Sequence, residues 1–202
     1  MKKTLVLTGG LLAAALTLSG CAGGSSTDPM PGMNHGTSGS SIPGSPAASA
    51  DMFNDADATF AQMMIPHHTQ AVEMSDIMLQ KTDIDSRITA LATQIKAAQA
   101  PEIKSLSGWL TSWGQPQTMS GSGHGMDGMM SADDLSRLKQ VTGTQASRLF
   151  LTQMIAHHQG AVAMAGTEVT GGKYPDAVAM AKAIVTSQNK EIEEMNGLLA
   201  TL

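Results

Sequence analysis

Two segments of this 202-residue chain carry adjacent histidines that are flanked by methionines. The first reads MIPHH over residues 64–68, and the second reads MIAHH over residues 154–158, an offset of 90 residues. The match continues to Met74 in the first copy and Met164 in the second. Imidazole nitrogen beside thioether sulfur is a ligand mixture that suits copper, Cu(I) above all. The repeat also indicates that the fold was built by doubling one unit.

Helix geometry would place these side chains on one face. At ~100° per residue, a stripe roughly 120° wide holds the two histidines of each copy and their methionines. A methionine stripe is usually core packing, so the methionines fit a core role as well as ligation. Buried imidazoles would each need hydrogen bonds, which favours a metal-binding or other functional role for the histidines. The stripes are Met64, His67, His68, Ala71, Met74 and Met78, and Met154, His157, His158, Ala161 and Met164.

The N-terminus has the organisation of a bacterial lipoprotein signal peptide over residues 1–20. Lys2 and Lys3 form a positive start, and residues 5–18 are apolar. That stretch is shorter than the ~20 residues of a spanning helix. The residues that follow, up to Cys21, resemble a lipobox, in which the cysteine receives the lipid and becomes the first mature residue. Because the chain has only one cysteine, we expect Cys21 to anchor the protein on the outer face of a membrane.

Cysteine usage and charge exclude several classes of function. With Cys21 acylated, the folded part has no thiol for a disulfide or for a cysteine-based zinc site. The chain has 16 methionines, whose sulfur does not form disulfides in an oxidising compartment. The 17 acidic residues outnumber the 12 basic ones, two of which belong to the signal peptide. Because no basic patch is visible, nucleic acid is not expected as a partner.

Two segments rich in Gly and Ser hold the remaining histidines. Residues 21–50 are typical of a flexible tether, and residues 118–131 of a polar loop. Methionines in such sequence have no packing role, which favours auxiliary capture of metal over a plain linker. The residues concerned are Met30, Met33, His35, Met119, His124, Met126, Met129 and Met130.

Residues 51–202 predict one all-α domain. Long helices are expected over about 55–80, 84–113, 144–169 and 175–199, with Asn54 as a cap and a further helix start at 131–134. Pro101 predicts a kink or a break in the second helix. Residues 99–110 recur at 188–199, an offset of 89, so each half is a helical hairpin. Two such hairpins give a four-helix bundle.

The second and fourth helices share a Gln-x-x-Glu pair, which is Gln99 with Glu102 and Gln188 with Glu191. Di-iron bundles use a glutamate from two helices and Glu-x-x-His from the other two, and this chain lacks that set. We therefore expect the glutamines to hydrogen-bond the imidazoles or to cap polar pockets. The glutamates would belong to the same supporting layer rather than ligate a metal.

The motif Phe60-x3-Met64-Ile65-Pro66-His67-His68-x2-Ala71-Val72-x-Met74, with Gln99-x2-Glu102-Ile103-x6-Leu110 downstream, resembles the bacterial family numbered 305 among domains of unknown function. Residues 150–199 resemble it again, so the resemblance covers about residues 51–202. It implies a ferritin-like bundle and a similarity to CopM-type copper-binding envelope proteins. Ala156 replaces Pro66 in the second copy, so the two sites are expected to differ in geometry. The ligands that it implies are Met64, His67, His68, Met74, Met154, His157, His158 and Met164.

Together these observations favour a lipid-anchored copper-binding protein of the cell envelope that acts in copper sequestration, delivery or resistance. Cu(I) would bind through methionine and histidine, with Cu(II) binding through histidine as the alternative. Copper ions, the membrane at Cys21 and copper transporters or carriers are the expected partners, and no enzymatic activity is expected. The rival hypotheses are a ferritin-like metal oxidase or oxidoreductase and a metal-free structural module.

Overall fold

A computed structural model describes residues 52–119 and 126–202 of the chain. Five helices account for most of them: α1 (Asp55–Leu79), α2 (Ser86–Trp113), α3 (Ala132–Gln140), α4 (Gly143–Gly171) and α5 (Pro175–Thr201). Within these two ranges there is no β-strand, which confirms the predicted all-α class. No helix there is both long and apolar enough to cross a bilayer.

Polar caps set where the helices begin. The Asn54 side chain accepts from the backbone N–H of Ala56 and Asp57, and the Asp57 carboxylate accepts from the Asn54 N–H at 2.6 Å. Ser131 and Asp134 form the same reciprocal capping box at the start of α3. Each box satisfies backbone donors that the first helical turn leaves free. The short helix α3 is thus a separate element, and α4 begins after it at Gly143.

The two prolines inside helices do not interrupt them. α1 continues through Pro66, and α2 continues through Pro101, where a kink or a break is predicted. Pro101 and Ala97 both lie at the exposed surface of α2. The carbonyl that loses its helical partner is therefore next to water, which lowers the cost of the missing hydrogen bond.

The helices form two antiparallel hairpins, α1 with α2 and α4 with α5, and α1 packs along α4. This is the predicted ferritin-like four-helix bundle of two repeated hairpins. α3 lies across one end and contacts both α1 and α4. Because α1 and α4 run in opposite directions, equivalent residues of the two copies meet near the middle of the bundle.

The hydrophobic core consists of two separate clusters, one toward each end. The α3-end core contains the C-terminal half of α1, the N-terminal half of α4, and Leu138 from α3. The aromatic-end core contains the opposite halves of α1 and α4, with Phe53, Trp109, Trp113 and Tyr174 packed against it. Phe53 stacks on Trp113 with ring centroids 4.6 Å apart. What separates the two cores is a layer of polar side chains.

A candidate metal centre

The layer between the cores is built from the four paired histidines. His67 and His68 from α1 and His157 and His158 from α4 all have no exposed surface. Burial follows from the contact between α1 and α4, because each helix turns its repeat face toward the other. The structure therefore brings both histidine pairs into one site, which we call the histidine layer.

The rings of His67 and His157, which occupy equivalent positions in the two copies, are in contact. Their centroids are 3.7 Å apart and their planes are inclined by 37°. Within each pair, the two neighbouring rings are 6.4 Å apart. The inner histidines of the layer are thus His67 and His157, and the outer ones are His68 and His158.

Each outer histidine is held by a glutamate of its own hairpin. His68 Nε2 lies 2.8 Å from Glu102 Oε2, and His158 Nε2 lies 2.6 Å from Glu191 Oε2. Gln94 donates a long hydrogen bond of 3.4 Å to the other oxygen of Glu191. These carboxylates fix the orientation of the outer rings and leave only their Nδ1 atoms without a partner.

This arrangement differs from the expectation for the glutamines. Gln99 and Gln188 are buried, but neither amide atom of Gln99 has a hydrogen-bond partner, nor has Oε1 of Gln188. The glutamates one turn further along each helix make the imidazole contacts instead. The amides therefore remain as additional polar groups beside the layer.

No nitrogen of the inner histidines makes a hydrogen bond of regular geometry, although the Asp127 backbone lies close enough to His67 to act on its pKa. An unsatisfied buried polar group costs roughly 1–3 kcal/mol, so this layer destabilises the folded protein when no metal is bound. Burial, reinforced by His68 and His158, lowers the pKa of His67 to about 3, against a small opposing effect of the Asp127 backbone. Burial and the other three imidazoles lower the pKa of His157 to about 2. Both rings are therefore neutral, which is the form that binds a metal.

The methionines of the predicted set do not form one cluster with the histidines. Met64 and Met154 precede the inner histidines by one turn, and they lie in opposite cores. Met74 and Met164 follow those histidines by seven residues, about 10 Å along the helix axis at 1.5 Å per residue. Met74 is fully buried at the α3 end, and Met164 is half-buried at the aromatic end. Met64 and Met154 are thus the better placed of the four to reach the layer.

A backbone segment, residues 126–130, crosses α4 beside the histidine layer. A Cβ on Gly160 would lie 2.0 Å from the carbonyl oxygen of Asp127, and a Cβ on Gly128 would lie 2.7 Å from that of Ala156. Gln70 holds the segment from α1, because its Nε2 donates to Met130 O at 2.8 Å and its Oε1 accepts from Met130 N at 2.7 Å. Positions 70 and 160 are equivalent in the repeat. One signal was visible in the sequence, since the second copy has a glycine where the first has Gln70.

The structure places the predicted auxiliary metal-capture residues in different environments. Met126 and Met129 are half-buried in the crossing segment, and Met119 is 40% exposed. Met130 packs against the α3-end core, so its side chain has the packing role that the sequence analysis denied it. Met30, Met33, His35, His124 and the predicted lipidation site Cys21 lie outside the described residues.

The buried imidazoles have the donor chemistry that a metal ion needs, but they do not form a complete coordination shell in this structure. Within residues 52–119 and 126–202, no group of three or more His, Cys, Asp or Glu side chains is arranged to hold a metal ion. Each neutral inner histidine nevertheless offers one unpartnered lone-pair nitrogen in a buried layer. Methionine sulfur or a small rotation of the rings would be needed to complete a coordination shell.

Comparison with known proteins identifies relatives over nearly the whole domain. The sequence profile of the domain of unknown function DUF305 matches residues 57–199. A structure of a DUF305 protein from Streptomyces coelicolor, described as a candidate secreted protein, is 38% identical with a TM-score of 0.69, covering 72% of this chain and 93% of that one. A DUF305 fragment from Deinococcus radiodurans is 33% identical with a TM-score of 0.67, covering 74% and 98%.

Structures of the protein CopM are also similar to this chain. CopM in its Cu(I)-bound form is 31% identical with a TM-score of 0.62, and 72% of this chain matches 96% of CopM. Its Cu(II)-bound form gives 33% identity with the same TM-score and coverage. A search of curated proteins found no match.

Proposed function

The chain belongs to the DUF305 family, and we propose that it binds copper at the histidine layer, as a protein of copper sequestration, delivery or resistance. The observation that carries the proposal is the inner pair, His67 and His157. Both rings are fully buried and in contact, yet none of their four nitrogens has a partner. A bound metal would take the lone-pair nitrogen of each ring as a ligand and so offset part of the free-energy cost of burying the pair.

Copper is the metal that the donor set favours. Neutral imidazole binds both Cu(I) and Cu(II), and thioether sulfur selects Cu(I). Met64 and Met154 approach the layer from the two cores, which supplies one sulfur on each side. The similar protein CopM has been crystallised in Cu(I)-bound, Cu(II)-bound and silver-bound forms, which supports the same choice here.

We propose binding rather than catalysis. The glutamates beside the layer, Glu102 and Glu191, are each committed to an outer histidine, so they are not free to bridge two iron ions. A carboxylate-bridged oxidase would need those oxygens as direct ligands. The residues of this site therefore hold and shield an ion, and no step of a reaction is assigned to them.

The proposed place of action is the cell envelope, with the domain tethered to a membrane through a lipid on Cys21. A Gly-rich tether of about 30 residues would let the domain range roughly 30 Å from the membrane. Copper transporters or soluble carriers are the exchange partners that such a reach suits. Mass spectrometry of the mature N-terminus tests the anchor, and an unmodified end at any other residue removes it.

A copper titration against a competing Cu(I) chelator tests the function. The full protein should retain at least one equivalent of Cu(I), and changing His67 and His157 together to glutamine should remove the tightest site. Replacing Glu102 and Glu191 with glutamine should weaken it about 10- to 100-fold, because the outer rings lose their orientation.

The matched control replaces the segment and tether residues Met119, Met126 and Met129 with leucine, together with Met30, Met33 and His35. That variant should lose weakly held copper and keep the tight equivalent. Circular dichroism should show intact helices in every variant. If the His67/His157 double variant keeps its tight affinity, the histidines belong to a metal-free core and the proposal is wrong.

A further inference from the structure

A cavity of about 370 Å³ opens at the aromatic end of the bundle, between the N-terminal half of α1 and the C-terminal end of α4. It lies on the far side of the aromatic-end core from α3. Its walls are mostly apolar, with few polar groups. The lining residues are Asp55, Ala56, Thr59, Phe60, Met63, Met164, Thr167 and Glu168.

Two thioethers and one buried carboxyl group face this cavity. Met63 comes from α1 and Met164 from α4, and both residues are half-buried where they line the cavity. Glu168 has only 1% of its surface exposed, and neither of its oxygens meets a hydrogen-bond donor. A carboxyl group placed in this way destabilises the fold unless a hydrogen-bond partner or a cation binds its oxygens.

Equivalent positions of the internal repeat hold different residues at the two ends of the bundle. Met63, Met164 and Glu168 are equivalent to Gln153, Met74 and Met78 at the α3 end. There both methionines are fully buried, and Gln153 donates to the backbone of Asp134 in α3. α3 closes that end, whereas the described part of the chain places no helix over the cavity.

We propose that this cavity is a second site for a soft monovalent cation, Cu(I) or Ag(I), held by the sulfur atoms of Met63 and Met164 and by the carboxylate of Glu168. The site uses no histidine, so it goes beyond the function proposed above. Met164 is thereby assigned to this cavity rather than to the histidine layer.

The chemistry of the lining selects the class of ion. Thioethers bind soft cations, and flexible methionine side chains from two helices can close on an ion between them. A cation would displace the proton that Glu168 holds in the metal-free protein, and the carboxylate so formed would neutralise one positive charge in a largely apolar pocket. Ca²⁺ and Mg²⁺ need six or more oxygen ligands, which this lining does not supply.

Silver is the probe for this site because it is soft, monovalent and stable in air. The full protein, labelled with ¹³C at its methionine methyl groups, is titrated with Ag(I) in the His67→Gln/His157→Gln background, so that the inner pair of the histidine layer is already removed. The methyl signals of Met63 and Met164, assigned from Met63→Leu and Met164→Leu, should shift together with one added equivalent. The double leucine variant should bind that equivalent at least ten-fold more weakly.

Two further variants complete the test. Met180→Leu in α5, which packs against the same core but does not line the cavity, should leave the affinity unchanged. Glu168→Gln should weaken binding about ten-fold while both methyl signals still move. If Ag(I) leaves the Met63 and Met164 signals in place, or if the double leucine variant binds as tightly as its parent, the second site does not exist. Either result would leave the histidine layer untouched, since that site is tested by its own variants.

Discussion

Neighbouring histidines of one pair have different environments in this fold. The outer residue of each pair is oriented by a glutamate, and the inner one contacts its counterpart from the other copy. Adjacent helix positions point about 100° apart, so one faces its own hairpin partner and the other faces the opposite hairpin. The sequence predicts two histidines on one face of each of two helices, but this division into two roles follows only from the packing of α1 on α4.

The inner histidines should make the metal-free protein sensitive to acid. Their folded-state pKa values of about 3 and 2 lie below the ordinary 6.5, so below pH 6.5 the unfolded chain binds protons that the folded chain does not. Stability should therefore be lost as the pH falls from about 6.5 toward 3, by up to ~1.4 kcal/mol per pH unit for each ring. Urea unfolding of the apo protein at several pH values measures this slope.

The variant His67→Gln/His157→Gln should flatten that dependence whatever its absolute stability is. The quantity to compare is the difference in slope between wild type and variant, because other carboxyl groups titrate in both. Parallel curves for the two proteins over pH 6.5–4 would contradict the neutral, buried state of the inner rings.

Glu168 should make the stability of the protein depend on pH in the opposite direction, and at higher pH. Burial and the neighbouring Asp57 carboxyl raise its pKa to about 8, while Asp57 itself accepts from the backbone N–H groups of Lys173 and Tyr174. Between the ordinary value of 4.5 and about 8, the folded chain holds a proton that the unfolded chain releases, so stability should fall as the pH rises through this window. Glu168→Gln should remove up to ~1.4 kcal/mol per pH unit of that slope.

The same substitution at the exposed Glu194 serves as the control for Glu168→Gln and should leave the slope as it is in the wild type. Chemical denaturation between pH 5 and 9, performed without metal, gives the measurement. A Glu168→Gln slope equal to that of the control would show that Glu168 loses its proton as easily in the folded state as in the unfolded chain.

Among the elements, the segment 126–130 breaks the symmetry of the repeat. Equivalent positions hold it in two ways: Gln70 clamps it with a side-chain amide, and Gly160 admits it by having no side chain. The sequence predicts a polar loop here but not its path, because a close approach between two backbones leaves no periodic pattern. The helix boundaries were more accessible, since the caps at Asn54 and Ser131 are local chemistry.

Gly160→Ala should displace this segment. Its new Cβ would meet the backbone of Asp127, which cannot move aside as a flexible side chain would. We expect a loss of about 1–3 kcal/mol of stability and at least ten-fold faster hydrogen exchange of the Met130 amide, which is now bound to Gln70.

Gly166→Ala is the matched control, because it makes the same change in the same helix with nothing within 4 Å. That variant should be unchanged or up to ~1 kcal/mol more stable, since alanine is the better helix former. Equal behaviour of the two variants would mean that the segment does not rest on α4.

For the whole molecule, the duplication predicted the architecture. The features that the sequence did not predict lie where the two copies differ. The offsets of 90 and 89 residues correctly gave two hairpins that form a four-helix bundle. They did not indicate that α3 would close one end, because α3 has no counterpart in the repeat. Nor did they single out Glu168, which takes the place of Met78 and acquires its environment from the turn at Gly172.

The aromatic residues make the intrinsic fluorescence of the protein sensitive to only one half of the bundle. Both tryptophans and the only tyrosine of the chain lie at the aromatic end, in mutual ring contact. Intrinsic fluorescence therefore reports on that half of the bundle, and the α3 end is nearly invisible to it, whereas circular dichroism reports on all helices. With a polar layer between the two cores, a fluorescence transition that does not coincide with the dichroism transition would reveal halves that melt separately.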